Sequence, residues 1–256
     1  MIYDAQEFAR VWKPVLLVSA AAWTLLLIEP SAIPLLGSCF ASNAGAAPPS
    51  RGMLLTMSPT SVGVSWTLML VAMMAPVLIQ PLYHIRLRSF ARRRGRSIAS
   101  FLAGYAVIWI ALGAVLVPTE VAAKSFAGEG YLLVAGAILL AFVWQFSPIK
   151  QRCLNRCHAH PALAAFGTAA DVSAFQFGIT HGIWCAGSCW VLMLLPMLLV
   201  REHLAAMALV AALIFSERLE PPRRPCWAYR CVGKATRMVT AQARLRLFAS
   251  SESWRH

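Results

Sequence analysis

Residues 178–193 read GITHGIWCAGSCWVLM and lie inside an apolar run that continues to Val200. Four side chains in this stretch recur at intervals of four residues: His181, Cys185, Cys189 and Met193. Positions four apart lie on one face of an α-helix, so the imidazole, the two thiols and the thioether form one slowly twisting stripe. Because polar groups inside a bilayer are costly and usually functional, the stretch predicts a membrane-spanning helix that carries a site.

The side chains of this stripe indicate a soft metal. Thiolate, thioether and imidazole ligands suit Cu(I), and Zn(II) is a second candidate. Cysteine and methionine are also ordinary apolar residues of buried helices, and a single histidine can be hydrogen-bonded within a helix bundle. The sequence therefore leaves two interpretations of the stripe, a metal site and plain helix packing.

The composition of the whole chain indicates an integral membrane protein. Of its 256 residues, 59% are hydrophobic and 13% are charged, against about 25% charged in soluble domains; the mean hydropathy is +0.64. The net charge of +13 is concentrated in short loops between apolar runs. That pattern sets membrane orientation, so nucleic-acid binding is not expected. The seven cysteines cannot all pair internally, and only Cys39 falls in a predicted outer loop, so no disulfide framework is expected.

Six apolar runs predict membrane crossings. They cover residues 11–36, 62–82, 98–117, 131–146, 172–200 and 204–215. Segment 84–96 carries six arginines and no acid, so the positive-inside rule places it, and both termini, in the cytoplasm. The first run could instead be a signal peptide cleaved near residues 41–47, but its length favours an uncleaved span. The predicted fold is an all-α, polytopic transmembrane bundle of about six spans in the cell inner membrane, surrounded by the lipid bilayer.

Three regions of the chain differ in character. Residues 1–60 hold the first span and an external loop, residues 61–217 a membrane core with five spans, and residues 218–256 a basic cytoplasmic tail with no run long enough to cross. Within the tail, residues 235–248 are compatible with a basic amphipathic helix on the inner membrane surface. Asp171 is predicted to cap the N-terminus of the fifth span.

The second span supplies further candidate ligands. Met69 and Met73 share a helix face, and the predicted topology places them at a depth similar to that of the two cysteines in the fifth span. The four sulfurs meet if the two spans are neighbours, which the sequence does not decide; gap-filling is the alternative role for methionine. Pro76 lacks a backbone donor, so it should leave the carbonyl of Ala72 without its helical partner.

A second cluster of candidate ligands follows the fourth span. Cys153 and Cys157 are four residues apart and precede His158. This spacing differs from that of zinc fingers, so it indicates either an inner metal-exchange site or a junction between helix and loop. Lys150 belongs to the same basic segment, which the positive-inside rule assigns to a cytoplasmic loop. Further on, Glu217 is expected to pair with its neighbour Arg218.

Several segments together resemble a family of bacterial integral membrane proteins described as predicted metal-binding and of unknown function. The segments are 66–76 (WTLMLVAMMAP), 81–88 (PLYHIRLR), 101–109 (FLAGYAVIW), 145–158 (QFSPIKQRCLNRCH), 181–193 (HGIWCAGSCWVLM) and 213–217 (LIFSE). The resemblance implies a multi-span helical protein with a suspected metal site and no defined activity. The chain departs from the family pattern at Ser188, where a further cysteine is expected, and in its basic tail, where a terminal apolar helix is expected.

The sequence therefore predicts an inner-membrane protein that binds a soft metal, most plausibly copper, and handles it with a donor or acceptor protein. The chain has no Gly-rich phosphate-binding loop, so no nucleotide is expected. No catalytic residue is assigned, and transport, insertion and sensing are not distinguished. A metal-free structural or accessory membrane subunit and a membrane redox enzyme are the alternative functions.

Overall fold

The computed structural model describes residues 5–28, 59–127, 131–199 and 202–229, and residues 233–234, 236–237 and 240–241 of the tail. Every regular element in these ranges is helical, which confirms the all-α prediction for this part of the chain. The predicted external loop with Cys39 and most of the predicted amphipathic helix at 235–248 lie outside the described residues.

The described ranges contain α-helices joined by short connections. In chain order they are α1 (Ala5–Ile28), α2 (Pro59–Met74), α3 (Ile79–Arg88), α4 (Arg94–Ala127), α5 (Tyr131–Phe146), α6 (Pro148–Cys157), α7 (Gly167–Leu198) and α8 (His203–Leu219). Short 3-10 turns at Ala75–Leu78 and Ala91–Arg93 join α2 to α3 and α3 to α4.

Four of these segments are long and apolar enough to cross a membrane. They are Ala5–Ile28, Gly63–Arg88, Ala91–Phe126 and Gly167–Leu198. Helices α5 and α6 meet at 65° and add a fifth crossing only if the bent pair counts as one span. Helix α8 has 17 residues, just below the roughly 20 that a crossing normally requires. Four of the six predicted spans thus correspond to helices of sufficient length and apolarity, and the membrane crossings themselves stay predictions.

Helix α7 lies at the centre of the fold and packs mainly along α4, with α6, α8 and α5 as further neighbours. Glycines allow the close approach to α4: a Cβ added to Gly178 would lie 2.1 Å from the carbonyl oxygen of Phe101, and one added to Gly104 would lie 2.3 Å from that of Phe175. Small residues at the contact thus permit the close packing of α7 against α4. The helix that these residues allow to approach is α4, which corresponds to the third predicted span.

The helix break before Pro76 creates a hydrogen-bonded contact between α2 and α1. Helix α2 ends at Met74, and the carbonyl oxygen of Ala72 accepts hydrogen bonds from Ser19 Oγ at 2.8 Å and from Trp23 Nε1 at 3.0 Å. The prediction that Pro76 frees this carbonyl is confirmed, and two side chains of α1 satisfy it. A local backbone defect has thus become a contact between helices.

Ion pairs gather several helix ends at one end of the bundle, which we call the Arg-rich end. Arg86 Nε lies 2.6 Å from a carboxylate oxygen of Glu7 in α1, and Asp171 in α7 pairs with Arg93 at 3.1 Å and Arg96 at 2.8 Å. The prediction that Asp171 caps the fifth span is wrong, because α7 begins at Gly167 and Asp171 lies inside it. Its carboxylate instead holds the arginines next to the helix N-terminus.

A buried ion pair joins α6 to α8. Lys150 Nζ lies 2.9 Å from Glu217 Oε1, both side chains are almost fully buried, and Gln145 hydrogen-bonds to both. Lys150 thus lies in a helix that packs against α7, and the assignment of its segment to the cytoplasmic side stays a prediction. The expected pair between Glu217 and Arg218 is wrong, because Glu217 faces Lys150 and Arg218 points elsewhere.

Candidate metal centre

The predicted stripe of α7 points into the protein. His181 is 4% exposed, and Cys185, Cys189 and Met193 are buried as well. Helix α7 turns this face inward because the neighbouring helices α4, α6 and α8 cover it. The four side chains of the stripe are therefore buried within the protein, and their use for metal binding stays a prediction.

The two cysteines of α7 lie side by side. Cys189 Sγ donates to the carbonyl oxygen of Cys185 at 3.0 Å, and the two thiols are close enough to interact directly. Tyr105 Oη, which belongs to α4, lies 3.4 Å from Cys185 Sγ. Ser188 Oγ donates to the same Cys185 carbonyl at 2.7 Å, so the residue found in place of an expected cysteine takes part in the local hydrogen bonding.

Helix α6 brings two more thiols to the middle of α7. Cys157 is close enough to interact electrostatically with Cys185. A Cβ added to Gly187 would lie 2.9 Å from Cys153 Sγ, so Cys153 packs on the side of α7 that faces away from Cys185 and Cys189. We call Cys157, Cys185 and Cys189 the thiol cluster. The sequence predicted two separate sites, and the structure places Cys157 of the second site near Cys185 of the first.

The bend between α5 and α6 explains this arrangement. Ser147 caps α6, because its Oγ accepts from the backbone N–H of Ile149 at 3.1 Å, and Pro148 occupies the first turn of the new helix. A capping serine followed by proline is a strong helix start. Helix α6 therefore begins in a new direction and packs against α7 instead of continuing α5.

One nitrogen of the His181 imidazole, Nε2, is buried and has no hydrogen-bond partner within the described part of the chain. The rings of Phe101, Tyr105 and Phe177 surround the imidazole, with centroids 6.0, 6.2 and 5.9 Å away. Buried polar atoms are nearly always hydrogen-bonded, so an unpaired ring nitrogen in a candidate site points to a ligand.

A cavity of about 420 Å³ leads to this imidazole. Its wall runs from the exposed residues Pro221 and Lys234 to the buried His181, and Phe8 of α1 places it towards the Arg-rich end. We call it the histidine cavity, since three histidines line it together with a cysteine and an arginine: His158, His160, His181, Cys157 and Arg218. The cavity connects the surface with the thiol cluster.

The two histidines near the cavity mouth differ in availability. Both ring nitrogens of His158, a predicted ligand, face carbonyl oxygens, that of Leu154 at 2.9 Å and that of Arg218 at 3.1 Å. In this conformation His158 offers no lone pair to the cavity. His160 was not predicted as a ligand; its ring lies 4.9 Å from that of His84. Burial lowers the pKa of His160 and the neighbouring His84 lowers it further, which favours the neutral, ligating form.

The predicted thioether ligands are buried but lie apart from this arrangement in the fold. Met69 and Met73 belong to α2, which packs mainly against α1 and also contacts α8. The principal neighbours of α7 are α4, α6, α8 and α5, so the suggested pairing of the second span with the fifth is not the main packing of α7. A ligand role for Met69 and Met73 stays a prediction.

The candidate ligands do not form a closed cage. Among the residues that the structure describes, no three His, Cys, Asp or Glu side chains converge in the geometry of a preformed metal site. The donors instead follow one another from the cavity wall to the thiol cluster. Such a series suits a cargo ion that is received and released better than a structural metal, whose sites are normally closed.

Fold and site together define an all-helical protein with four helices able to cross a membrane and a buried cluster of cysteine and histidine side chains. The chain belongs to the PpoB2 copper chaperone family, whose family model matches residues 63–241. Neither a curated protein nor a solved structure matches it. The match begins close to the predicted start of the core at residue 61 and extends past residue 217 into the basic tail. The expected metal-related family is confirmed, and its description gives the chain a copper-handling role.

Proposed function

We propose that this chain is an inner-membrane copper chaperone that receives Cu(I) through the histidine cavity, holds it on the thiol cluster and passes it to an acceptor protein. The observation that carries the proposal is the unpaired Nε2 of His181. His181 lines a cavity that reaches exposed residues, and it lies one helical turn from Cys185. A ring nitrogen without a partner among the described residues is thus present beside the thiols.

The proposed route uses ligands of increasing softness. His160 and His181 would receive the ion in the cavity, and Cys185 and Cys189 would then hold it. Thiolate sulfur prefers Cu(I) to hard cations, which supports copper as the cargo. Copper moves by ligand exchange, so no bond of the protein is made or broken and no co-reactant is needed. Met193, one turn beyond Cys189, extends the series towards the far end of α7.

The membrane location rests on the surface of the helices and on charge. Large apolar side chains are exposed on several helices, among them Leu17 of α1, Ile110 of α4 and Leu209 of α8. Exposed apolar side chains on this scale are typical of surfaces that face lipid. The positive-inside rule assigns the Arg-rich end to the cytoplasm, so the histidine cavity would receive copper from that side.

The first experiment is copper analysis of detergent-purified protein. Wild-type protein loaded with Cu(I) should retain close to one copper per chain after removal of free metal. The Cys185→Ser/Cys189→Ser variant should lose most of it, because hydroxyl groups are poor ligands for a soft ion. Copper content is measured by elemental analysis against protein concentration.

The matched control is Cys226→Ser, because Cys226 is exposed in the tail and lies outside the thiol cluster. This variant should retain the wild-type copper content. Unchanged copper in the double variant would contradict the proposed site. Wild-type protein that retains no copper would contradict the proposed function and favour the metal-free accessory role.

A further inference from the structure

The guanidinium group of Arg218 enters the thiol cluster from the end of α8. Its Nη2 donates to Ser188 Oγ at 3.3 Å, and the group is close enough to the thiols of Cys157 and Cys185 to interact electrostatically. Its Nε atom is buried and has no hydrogen-bond partner in the described part of the chain. A cation with an unused donor therefore faces the proposed copper ligands.

No carboxylate in the described ranges forms an ion pair with Arg218. The neighbouring Glu217 faces Lys150 on α6 at 2.9 Å. Glu220 pairs instead with Arg223 at 3.6 Å. A partly buried cation without a counter-ion is destabilising, because its buried atoms lose hydration that no partner replaces. The geometry thus calls for an anion beside Arg218, and the anions that this site can form are thiolates.

A count of charges shows which ion restores neutrality. Among the described residues, the charged side chains that face the thiol cluster are Arg218 and Lys150, both positive, and Glu217, which is negative, so one positive charge is left over. Two thiolates with a monovalent ion carry one negative charge and cancel it. Two thiolates with a divalent ion are neutral, which leaves the positive charge buried and uncompensated.

We propose that Arg218 is the counter-ion that selects monovalent copper, held by the thiolates of Cys185 and Cys189, over divalent metals. This inference rests on the proposed function and adds the charge state of the cargo and the residue that determines it. Arg218 does not ligate the metal, because a guanidinium has no lone pair to offer. It acts as a positioning and selectivity residue through the two thiolates.

Competition titrations of the detergent-purified full chain test this assignment. A chromophoric chelator competes for Cu(I), and a second one for Zn(II). Arg218→Gln should weaken Cu(I) binding about ten- to a hundredfold, the effect of losing a charge-assisted contact, and should leave Zn(II) binding equal or stronger. Arg218→Lys keeps the charge and should retain most of the Cu(I) affinity.

The matched control is Arg223→Gln, an exposed arginine five residues further along the chain, whose Cu(I) affinity should equal that of wild type. Equal losses of Cu(I) and Zn(II) affinity in Arg218→Gln would overturn the assignment, because they indicate a purely structural role. Wild-type Cu(I) affinity in Arg218→Gln would overturn it as well. Wild-type protein that binds no Cu(I) would instead refute the proposed function itself.

A divalent ion held by three thiolates would also balance the charge, and Cys157 is the third thiol. Cys157→Ser separates the two possibilities. Under the proposal it keeps its preference for Cu(I), because only two thiolates are needed. Loss of tight metal binding in Cys157→Ser, together with a wild-type preference for Zn(II), would overturn selection of a monovalent ion.

Discussion

The hydrogen bonding of the His181 imidazole distinguishes a role in packing from a role as a ligand. A histidine kept only for packing would have its ring nitrogens hydrogen-bonded, as His203 does through Nδ1, which lies 2.6 Å from the carbonyl oxygen of Pro196. His181 is equally well buried, yet its Nε2 is unpaired within the described residues. An unsatisfied buried polar atom lowers stability by about 1–3 kcal/mol, and a ligand bound at Nε2 would remove that cost.

Replacement of His181 by leucine should therefore affect copper and stability differently. His181→Leu removes an unsatisfied polar atom, so the metal-free variant should unfold at the same temperature as wild type or higher, by up to about 1 kcal/mol in free energy of unfolding. Loading with Cu(I) should become at least severalfold slower, because the ligand between cavity and thiols is lost. Thermal unfolding and a time course of copper uptake measure the two effects.

His203→Leu serves as the control for this substitution. It removes a satisfied hydrogen bond far from the histidine cavity, so it should lower the unfolding temperature and leave copper uptake unchanged. A His181→Leu variant that is destabilised and takes up copper at the wild-type rate would show that His181 serves packing alone.

Residue-scale features could be predicted where they depend on local geometry. The four-residue spacing of the α7 stripe and the carbonyl freed by Pro76 follow from helix periodicity and from the missing proline N–H. Arg218 and His160 could not be recognised as site residues, because their role depends on contacts between segments far apart in sequence. The Cys-His-Ala-His run is the sequence cue to His160, although the prediction of a ligand covered only His158.

At the scale of elements, the crossing of α4 and α7 determines where the site lies. The two backbones approach closely at Gly104 and Gly178, and this crossing brings Tyr105 next to Cys185. The small residues of α7 indicate that another helix packs closely against it, but they do not indicate which helix. The change of helix direction at Ser147 could not be predicted from the sequence, because a helix that contains Lys150, Arg152 and Arg156 has the composition of a cytoplasmic loop.

Adding one methyl group at this crossing should strongly destabilise the fold. Gly178→Ala places a Cβ against the backbone carbonyl of Phe101, which cannot move without shifting α4, so the free energy of unfolding should fall by about 1–3 kcal/mol or more. Gly136→Ala is the matched substitution on α5, where a Cβ meets nothing within 4 Å. There the higher helix propensity of alanine should stabilise by about 0.5–1 kcal/mol.

Unfolding of both variants is followed by tryptophan fluorescence in detergent, with copper content as a second readout. The Gly178→Ala variant should also bind copper less tightly, since the wall of the site is displaced. Equal unfolding temperatures for the two variants would show that the α4–α7 crossing is looser than described.

At the scale of the whole molecule, the chain combines a helical bundle that has a mainly apolar core with a small group of buried polar side chains. Charged and thiol side chains converge where the end of α8, the length of α6 and the middle of α7 meet, and the histidine cavity opens beside them. Family membership identifies copper as the handled metal. The membrane location and the route through the bundle are our proposals, and both require that the thiols of α7 hold the ion.

X-ray absorption at the copper edge of the Cu(I)-loaded full chain, reconstituted in lipid vesicles, tests this requirement most directly. The spectrum should show monovalent copper bound mainly by sulfur, and the sulfur signal should be lost in Cys185→Ser/Cys189→Ser but kept in Cys226→Ser. A wild-type spectrum made up of nitrogen and oxygen scatterers, or a sulfur signal that survives in the double variant, would contradict the account.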